Sequence, residues 1–205
     1  MNLDNNLKVV LLRHGETVYN TEKRLQSTKD SLTDKGKEQI RNILGDLKEF
    51  NFSKLISSDE KRAVESAEII SKFLGIDFEQ NSLIREKSSG EFSDRLVSEV
   101  DWSIVKGPFF EKKIPGGESI QDVIVRASEF FKILNTFKQE EEILVISHGT
   151  FLRILFCLML NKDIQETILD YEFPNASKII ISRSNLDEWA LESSPLIKKS
   201  ENVNV

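Results

Sequence analysis

The stretch KVVLLRHGETVYN, Lys8 to Asn20, decides how the rest of the chain is read. Val9 to Leu12 form an uninterrupted apolar run of β-favouring residues, which stops at Arg13, His14 and Gly15 and is followed by Glu16 and Thr17. The run reads as a buried strand that ends in a cationic turn. Ligands of an open α/β sheet bind at such strand ends. Here the end carries two donors, one of them a potential nucleophile, beside a glycine that allows close backbone approach. The chemistry implied is anion handling.

The chain has one other histidine, His148, in the same kind of context. Ile143 to Ile146 is an apolar run, followed by Ser147, His148, Gly149 and Thr150 and then a long apolar segment. Taken singly, each histidine reads as a half-buried imidazole hydrogen-bonded near a turn. As a pair, each after an apolar run and each before a glycine, they read as one site.

The 205 residues, with a hydrophobic share of 39% and 13 phenylalanines, fit a single domain over 1–205 with a sizeable core. A net charge of −6 and a pI of about 5.2 exclude a broad nucleic-acid footprint, so an anion site has to be a local pocket of arginines. Cys157 lies inside the apolar segment Phe151 to Leu160 and reads as a small core residue. That segment is too short to span a bilayer and contains Arg153. The leading MNLDNNLK lacks the regions of a signal peptide, so the expectation is a cytoplasmic protein with no membrane partner. Residues 1–6 and 194–205 are expected to be loose tails, and no signal sets the oligomeric state.

Along the chain, Tyr19 to Asp30 reads as a loop, and Thr33 as the N-cap of a helix running to Phe50 with Ile40, Ile43, Leu44 and Leu47 on one face. Phe52 to Ile56 reads as a strand. Ser57 and Glu60 match a capping box opening a helix to Leu74, with Arg62 in its first turns and Gly75 at its end. Phe78 to Ile84 leads as a short strand into the polar Arg85 to Gly90. The spacing of Val97, Val100 and Trp102 predicts a helix from Arg95 to Lys106, and Lys106 to Gly117 reads as a loop. Apolar residues recurring at three and four from Ile120 to Phe137 predict a long amphipathic helix over Ser119 to Phe137. A strand over Glu142 to Ile146, a helix over Thr150 to Leu160, and a hairpin of Lys178 to Ser182 with Trp189 to Glu192 complete the pattern. The alternation predicts a three-layer α/β/α sandwich with a mostly parallel central sheet and a C-terminal edge hairpin.

In order and spacing, several short motifs resemble the histidine phosphatase superfamily, the phosphoglycerate-mutase-like proteins, from residue 8 to about 192. They are Arg-His-Gly-Glu-Thr at 13–17 with Asn20, Leu32-Thr33 with Gly36, Ser57-Ser58 with Arg62-Ala63, and Glu86 before Gly90. Pro115 to Ser119, Ser147-His148-Gly149 and Asn175-Ala176-Ser177 follow in turn. The resemblance implies that His14 attacks a phosphoryl group in line to form a phosphohistidine, so it must be neutral with its other ring nitrogen held. It implies that Arg13, Arg62 and His148 surround the phosphoryl oxygens, that Asn20 adds a weaker contact, and that Glu86 protonates the leaving oxygen and later activates water. That last role calls for a carboxyl raised toward neutrality. Alone, Arg62 would read as a solvated helix arginine and Glu86 as a surface glutamate.

A metal site is disfavoured by two histidines without a third, no paired cysteines and flanking arginines, so the expectation is catalysis with no metal and no cofactor. The mutase branch of the resembled family carries Arg-His-Tyr-Gly after the glutamate matching Glu86. This chain has Lys87-Ser88-Ser89-Gly90 there, Ser93-Asp94 where many relatives have Glu-Gly, and Gln26-Ser27 for Gln-Gly. The first expectation is therefore a phosphomonoester hydrolase acting on a small phosphorylated substrate. The alternatives are a mutase-type phosphotransferase, with Lys87, Arg95, Lys112 and Lys113 as candidates for a second anion clamp, and a catalytically silent phosphate-binding protein. Residues 87–116 are expected to form a lid, with Phe92, Trp102, Phe109 and Phe110 as candidates to line it.

Overall fold

Strand β1, Leu7–Arg13, is buried on both faces, and its alternation sorts two cores. Leu7, Val9 and Leu11 face one cluster, Val10 and Leu12 the other. The computed structural model describes residues 6–193 and 197–198; of the loose tails expected at 1–6 and 194–205, residues 1–5, 194–196 and 199–205 lie outside the described residues, and Ile197–Lys198 forms a short strand.

After β1 come α1 (Val18–Glu22), α2 (Asp34–Asn42), α3 (Leu44–Leu47), β2 (Lys54–Ser57), α4 (Lys61–Leu74) and β3 (Phe78–Gln80). A run of short 3₁₀ turns leads to α5 (Ile120–Leu134), β4 (Glu142–Ser147), α6 (Gly149–Met159) and α7 (Ile164–Thr167). β5 (Tyr171–Glu172), β6 (Lys178–Arg183), β7 (Trp189–Ser193) and β8 (Ile197–Lys198) follow. The central sheet has six strands in the order β3, β2, β4, β1, β6, β7. The first four are mutually parallel, whereas β6 and β7 run antiparallel as the expected edge hairpin. β5 and β8 pair separately.

One layer packs Ala127 and Phe130 of α5 and Phe151 and Leu155 of α6 on the sheet; the other packs Ile40 of α2, Leu47 of α3 and Ala63, Ala67 and Ile70 of α4. The fold is the three-layer α/β sandwich expected. β1 and β4 lie side by side in parallel with Arg13 paired to Ser147, so the two histidines emerge from adjacent strand ends.

Four local expectations are corrected. The segment 19–30 opens with α1, because Thr17 and Asn20 form a reciprocal capping box. The helix expected to run to Phe50 breaks at Ile43, although Thr33 caps its start as expected. No α-helix spans 95–106 among the described residues: Val97–Glu99 and Trp102–Ile104 are 3₁₀ turns, and Val100 instead packs with Phe92 and Ile114 in a small separate cluster. The Ser57/Glu60 capping box does not form. Strand β2 runs through Ser57, whose hydroxyl donates to Ser58 O, and Glu60 itself occupies the N-cap position of α4 without a side-chain capping bond.

Candidate active site

His14 leaves the end of β1 with its backbone N–H donating to Ser147 O of β4 (3.0 Å), so one strand edge sets both histidine turns. The 175–177 loop clamps this turn. Ala176 N–H donates to Arg13 O and His14 O, and Asn175 Nδ2 donates to His14 O, Gly15 O and Asn20 Oδ1. Gly15 abuts α2, where a Cβ would come 2.4 Å from Gly36 O, so the turn tolerates no side chain there.

His14 is fully buried. Its Nδ1 lies 2.7 Å from Gly15 O, and Nε2 faces Arg62 Nε at 3.3 Å. A carbonyl accepts only from a protonated nitrogen and a guanidinium only donates. The geometry therefore assigns the proton to Nδ1 and a lone pair to Nε2. Burial, followed by the charges of Arg62 and His148 and then Arg13, holds the imidazole well below its usual pKa of 6.5. His14 is neutral, with an Nε2 lone pair that accepts from Arg62 Nε and carries no proton of its own, the protonation state a nucleophile requires.

Arg62, from the first turn of α4, is buried with every arm engaged: Nε to His14, Nη1 donating to Ser27 O (2.8 Å) and Nη2 to Glu60 Oε2 (2.6 Å). Arg13 donates through Nη1 to Phe173 O (2.6 Å), and its buried Nε has no hydrogen-bond partner. His148, the N-cap residue of α6, lies with its ring 5.1 Å from that of His14 and is fully buried. Its Nε2 approaches Glu60 Oε2 to 2.9 Å outside hydrogen-bond geometry, and its Nδ1 has no hydrogen-bond partner among the described residues. Burial and Arg62 lower the His148 pKa against the opposing pull of Glu60 and Glu86.

Both imidazoles thus refuse protons in the folded chain at pH values where the unfolded chain binds them, near 6.5. Stability is fully present above that pH and declines as pH falls below it. Urea midpoints are expected to be lower at about pH 5.5 than at about pH 7.5, a window between the ordinary carboxylate and imidazole ranges. A His14→Asn variant should lose part of this drop; equal midpoints for the unmodified chain would contradict buried neutral histidines.

Glu86 sits with His14, Arg62 and His148, but not in the state expected. Burial pushes its carboxyl up, yet His148, the backbone N–H groups of Lys87 and Thr150, and Arg62 outweigh that and hold it at about 2. Thr150 N–H, in the first turn of α6, donates to both carboxylate oxygens (3.2 and 3.1 Å). The expectation of a carboxyl raised toward neutrality is corrected: these neighbours keep Glu86 a carboxylate. Asn20 reaches the same region, but its Oδ1 accepts from Thr17 N–H and Asn175, which leaves its amide nitrogen as the group that can meet an anion.

Two residues of the site escaped the sequence reading. Glu60, 6% exposed, contacts Arg62 and His148 and accepts Glu86 N–H at 3.2 Å. Arg126 of α5 reaches under the Glu86 segment, donating to Leu83 O, Arg85 O and Glu86 O while pairing with Glu118. Its signal was available: it falls on the apolar stripe formed by Val123, Ala127 and Phe130.

Outside this buried cluster lies a cavity of about 520 Å³ that reaches Asn20 and Glu86, with Trp102, Phe109, Lys112 and Arg153 in its walls. Trp102 and Phe109 line it as expected, but Phe92 and Phe110 do not; Phe92 is buried in the small cluster with Val100, and Phe110 packs on the main core. Of the candidate clamp cations, Lys87, Lys112 and Lys113 line it, whereas the Arg95 guanidinium lies over the Phe92 ring, 5.6 Å from its centre. Among the described residues there is no group of three or more His, Cys, Asp or Glu side chains suited to a metal ion, and no helix is long and apolar enough to cross a membrane.

Two histidines, two arginines and a buried glutamate thus meet beyond the carboxyl ends of the parallel strands. The chain belongs to the histidine phosphatase superfamily, branch 1, whose family model matches residues 9–194. Proteins from Escherichia coli and Shigella boydii, each named "Probable phosphoglycerate mutase GpmB", are 35% identical to it over 162 residues, 75% of either chain. Among solved structures, the fold is shared with a mycobacterial glucosyl-3-phosphoglycerate phosphatase complexed with VO3 (TM-score 0.79, 22% identity, covering 91% of this chain and 98% of that one). It is shared also with the alpha-ribazole phosphatase from Shigella flexneri (TM-score 0.82, 19% identity, covering 97% and 98%).

Proposed function

We propose that the protein is a metal-independent phosphomonoester hydrolase that passes through a phosphohistidine at His14 and acts on a small phosphorylated metabolite. The observation that carries this reading is the tautomer at His14: a neutral imidazole with its proton on Nδ1 and its Nε2 lone pair turned toward Arg62. His14 Nε2 attacks phosphorus as the bond to the leaving oxygen breaks, while Arg13, Arg62 and His148 hold the phosphoryl oxygens and stabilise the spread of charge. An incoming phosphoryl dianion raises the Glu86 pKa by like-charge repulsion, so the carboxylate takes up a proton from solvent on binding. Glu86 gives that proton to the leaving oxygen. It then accepts one from the water that attacks phosphorus, which releases phosphate and restores His14. Residues 87–116, which supply Trp102, Phe109 and Lys112 to the cavity, act as the lid over the leaving group.

A mutase reading is favoured by the name of the relatives at 35% identity. It requires a second anion clamp in the cavity, for which Lys87, Lys112 and Lys113 are placed. A panel of small phosphomonoesters in EDTA separates the two. Hydrolysis that persists in EDTA supports the phosphatase; phosphoryl exchange between phosphoglycerates without net phosphate release supports the mutase. In the same panel, Glu86→Gln should slow alkyl phosphates by about 10²- to 10⁴-fold and nitrophenyl phosphate far less, as expected for loss of a general acid. Equal slowing of both esters would remove Glu86 from the acid role, and loss of activity in EDTA that added metal restores would overturn the metal-independent reading.

A further inference from the structure

We infer that Glu60 is a resident anion: its carboxylate occupies the place of a substrate phosphoryl oxygen and has to leave before a phosphoryl group can bind. The inference rests on the proposed phosphoryl site and goes beyond it. A phosphoryl oxygen here would be recognised by Arg62, His148 and nearby backbone N–H groups. Glu60 Oε2 already holds that position, 2.6 Å from Arg62 Nη2, 2.9 Å from His148 Nε2 and 3.2 Å from Glu86 N. Burial raises its pKa, but His148 and Arg62 outweigh burial and keep the group ionised. Arg62 Nη2 and the Glu86 N–H therefore donate to the protein's own negative charge, which His148 Nε2 also faces.

A second set of observations says the carboxylate can move. Glu60 is the N-cap residue of α4, yet its side chain makes no capping bond, so no backbone N–H of the helix start holds it. It also lines a separate cavity of about 460 Å³ shared with Ser27, Arg85 and Arg126. A turn of the side chain into that space leaves Arg62 and His148 to the incoming phosphoryl group and brings the carboxylate nearer Arg85, which is paired with Asp59. One donor set cannot hold the Glu60 carboxylate and a phosphoryl dianion at once, since like charges at contact distance repel. The consequence is weak retention of inorganic phosphate, the hydrolysis product.

The test is the dissociation constant of inorganic phosphate for the full chain, measured by calorimetry at one pH and ionic strength for the unmodified protein, Glu60→Gln and Glu60→Leu. Thermal melts confirm that each is folded. Removing the resident charge should tighten phosphate binding at least about tenfold in both variants, a conservative reading of the like-charge cost. Phosphate binding that is unchanged or weaker in both folded variants overturns the resident anion while leaving the phosphoryl site standing. Binding by none of the three overturns both together.

Discussion

His14→Ala is expected to lower phosphomonoester hydrolysis by at least about 10⁴-fold, the order seen when a covalent nucleophile is removed from a group of residues that act as a unit. The substitution deletes the neutral imidazole whose Nε2 lone pair faces the Arg62 guanidinium at the end of β1. The neighbours cannot replace it. Arg13 and Arg62 only donate, Glu86 is anionic and held by the N–H groups of Lys87 and Thr150, and His148 lies beside Glu60. The loss should fall on kcat more than on KM, because the arginines that bind the phosphoryl group remain. A His14→Ala variant with turnover within about tenfold of the unmodified enzyme would show that another group attacks phosphorus.

Arg62→Ala should reduce kcat/KM by about 10²- to 10³-fold, the range for deleting one preorganised donor to a transition-state anion. It should also destabilise the fold by about 1 to 3 kcal/mol, because the buried Glu60 carboxylate loses its 2.6 Å partner and has to stay beside His148 or turn into the neighbouring cavity. The two effects separate experimentally. In the double variant Arg62→Ala, Glu60→Leu, the stability loss should be largely recovered while the rate loss persists. If the double variant melts no higher than the single, the Arg62–Glu60 pair is not the source of the destabilisation.

What the chain makes legible locally, it makes legible well. The apolar runs at Val9 to Leu12 and Ile143 to Ile146 each end in a polar turn, and the structure places those turns on adjacent parallel strands. Strand identity, sheet direction and the meeting of His14 with His148 all follow from that pattern. Glu86 was recoverable only through the family resemblance, since nothing in its immediate neighbours distinguishes it from a solvated charge; Arg62 had one further local signal, its position just after a strand-to-helix turn.

The misreadings have a common origin in local patterns that tertiary contacts overrule. Ser57 and Glu60 have capping-box spacing, but Ser57 stays in β2 and Arg62 and His148 claim the Glu60 carboxylate, so the helix begins later. The helical spacing of Val97, Val100 and Trp102 is real, but the contacts available to Val100, chiefly Phe92 and Ile114, are met by 3₁₀ turns. The charge state of Glu86 was beyond sequence reasoning altogether, because it depends on the N–H of Thr150 at the start of α6, 64 residues away.

The most direct measurement is rapid acid-free quenching of the enzyme with a radiolabelled phosphomonoester, followed by a stability profile of any protein-bound label. A phosphohistidine is a phosphoramidate, labile in acid and stable in base. The account predicts base-stable, acid-labile label on the unmodified protein, located at His14 and missing from His14→Ala. Active turnover with no such label, or label that survives acid, would contradict it.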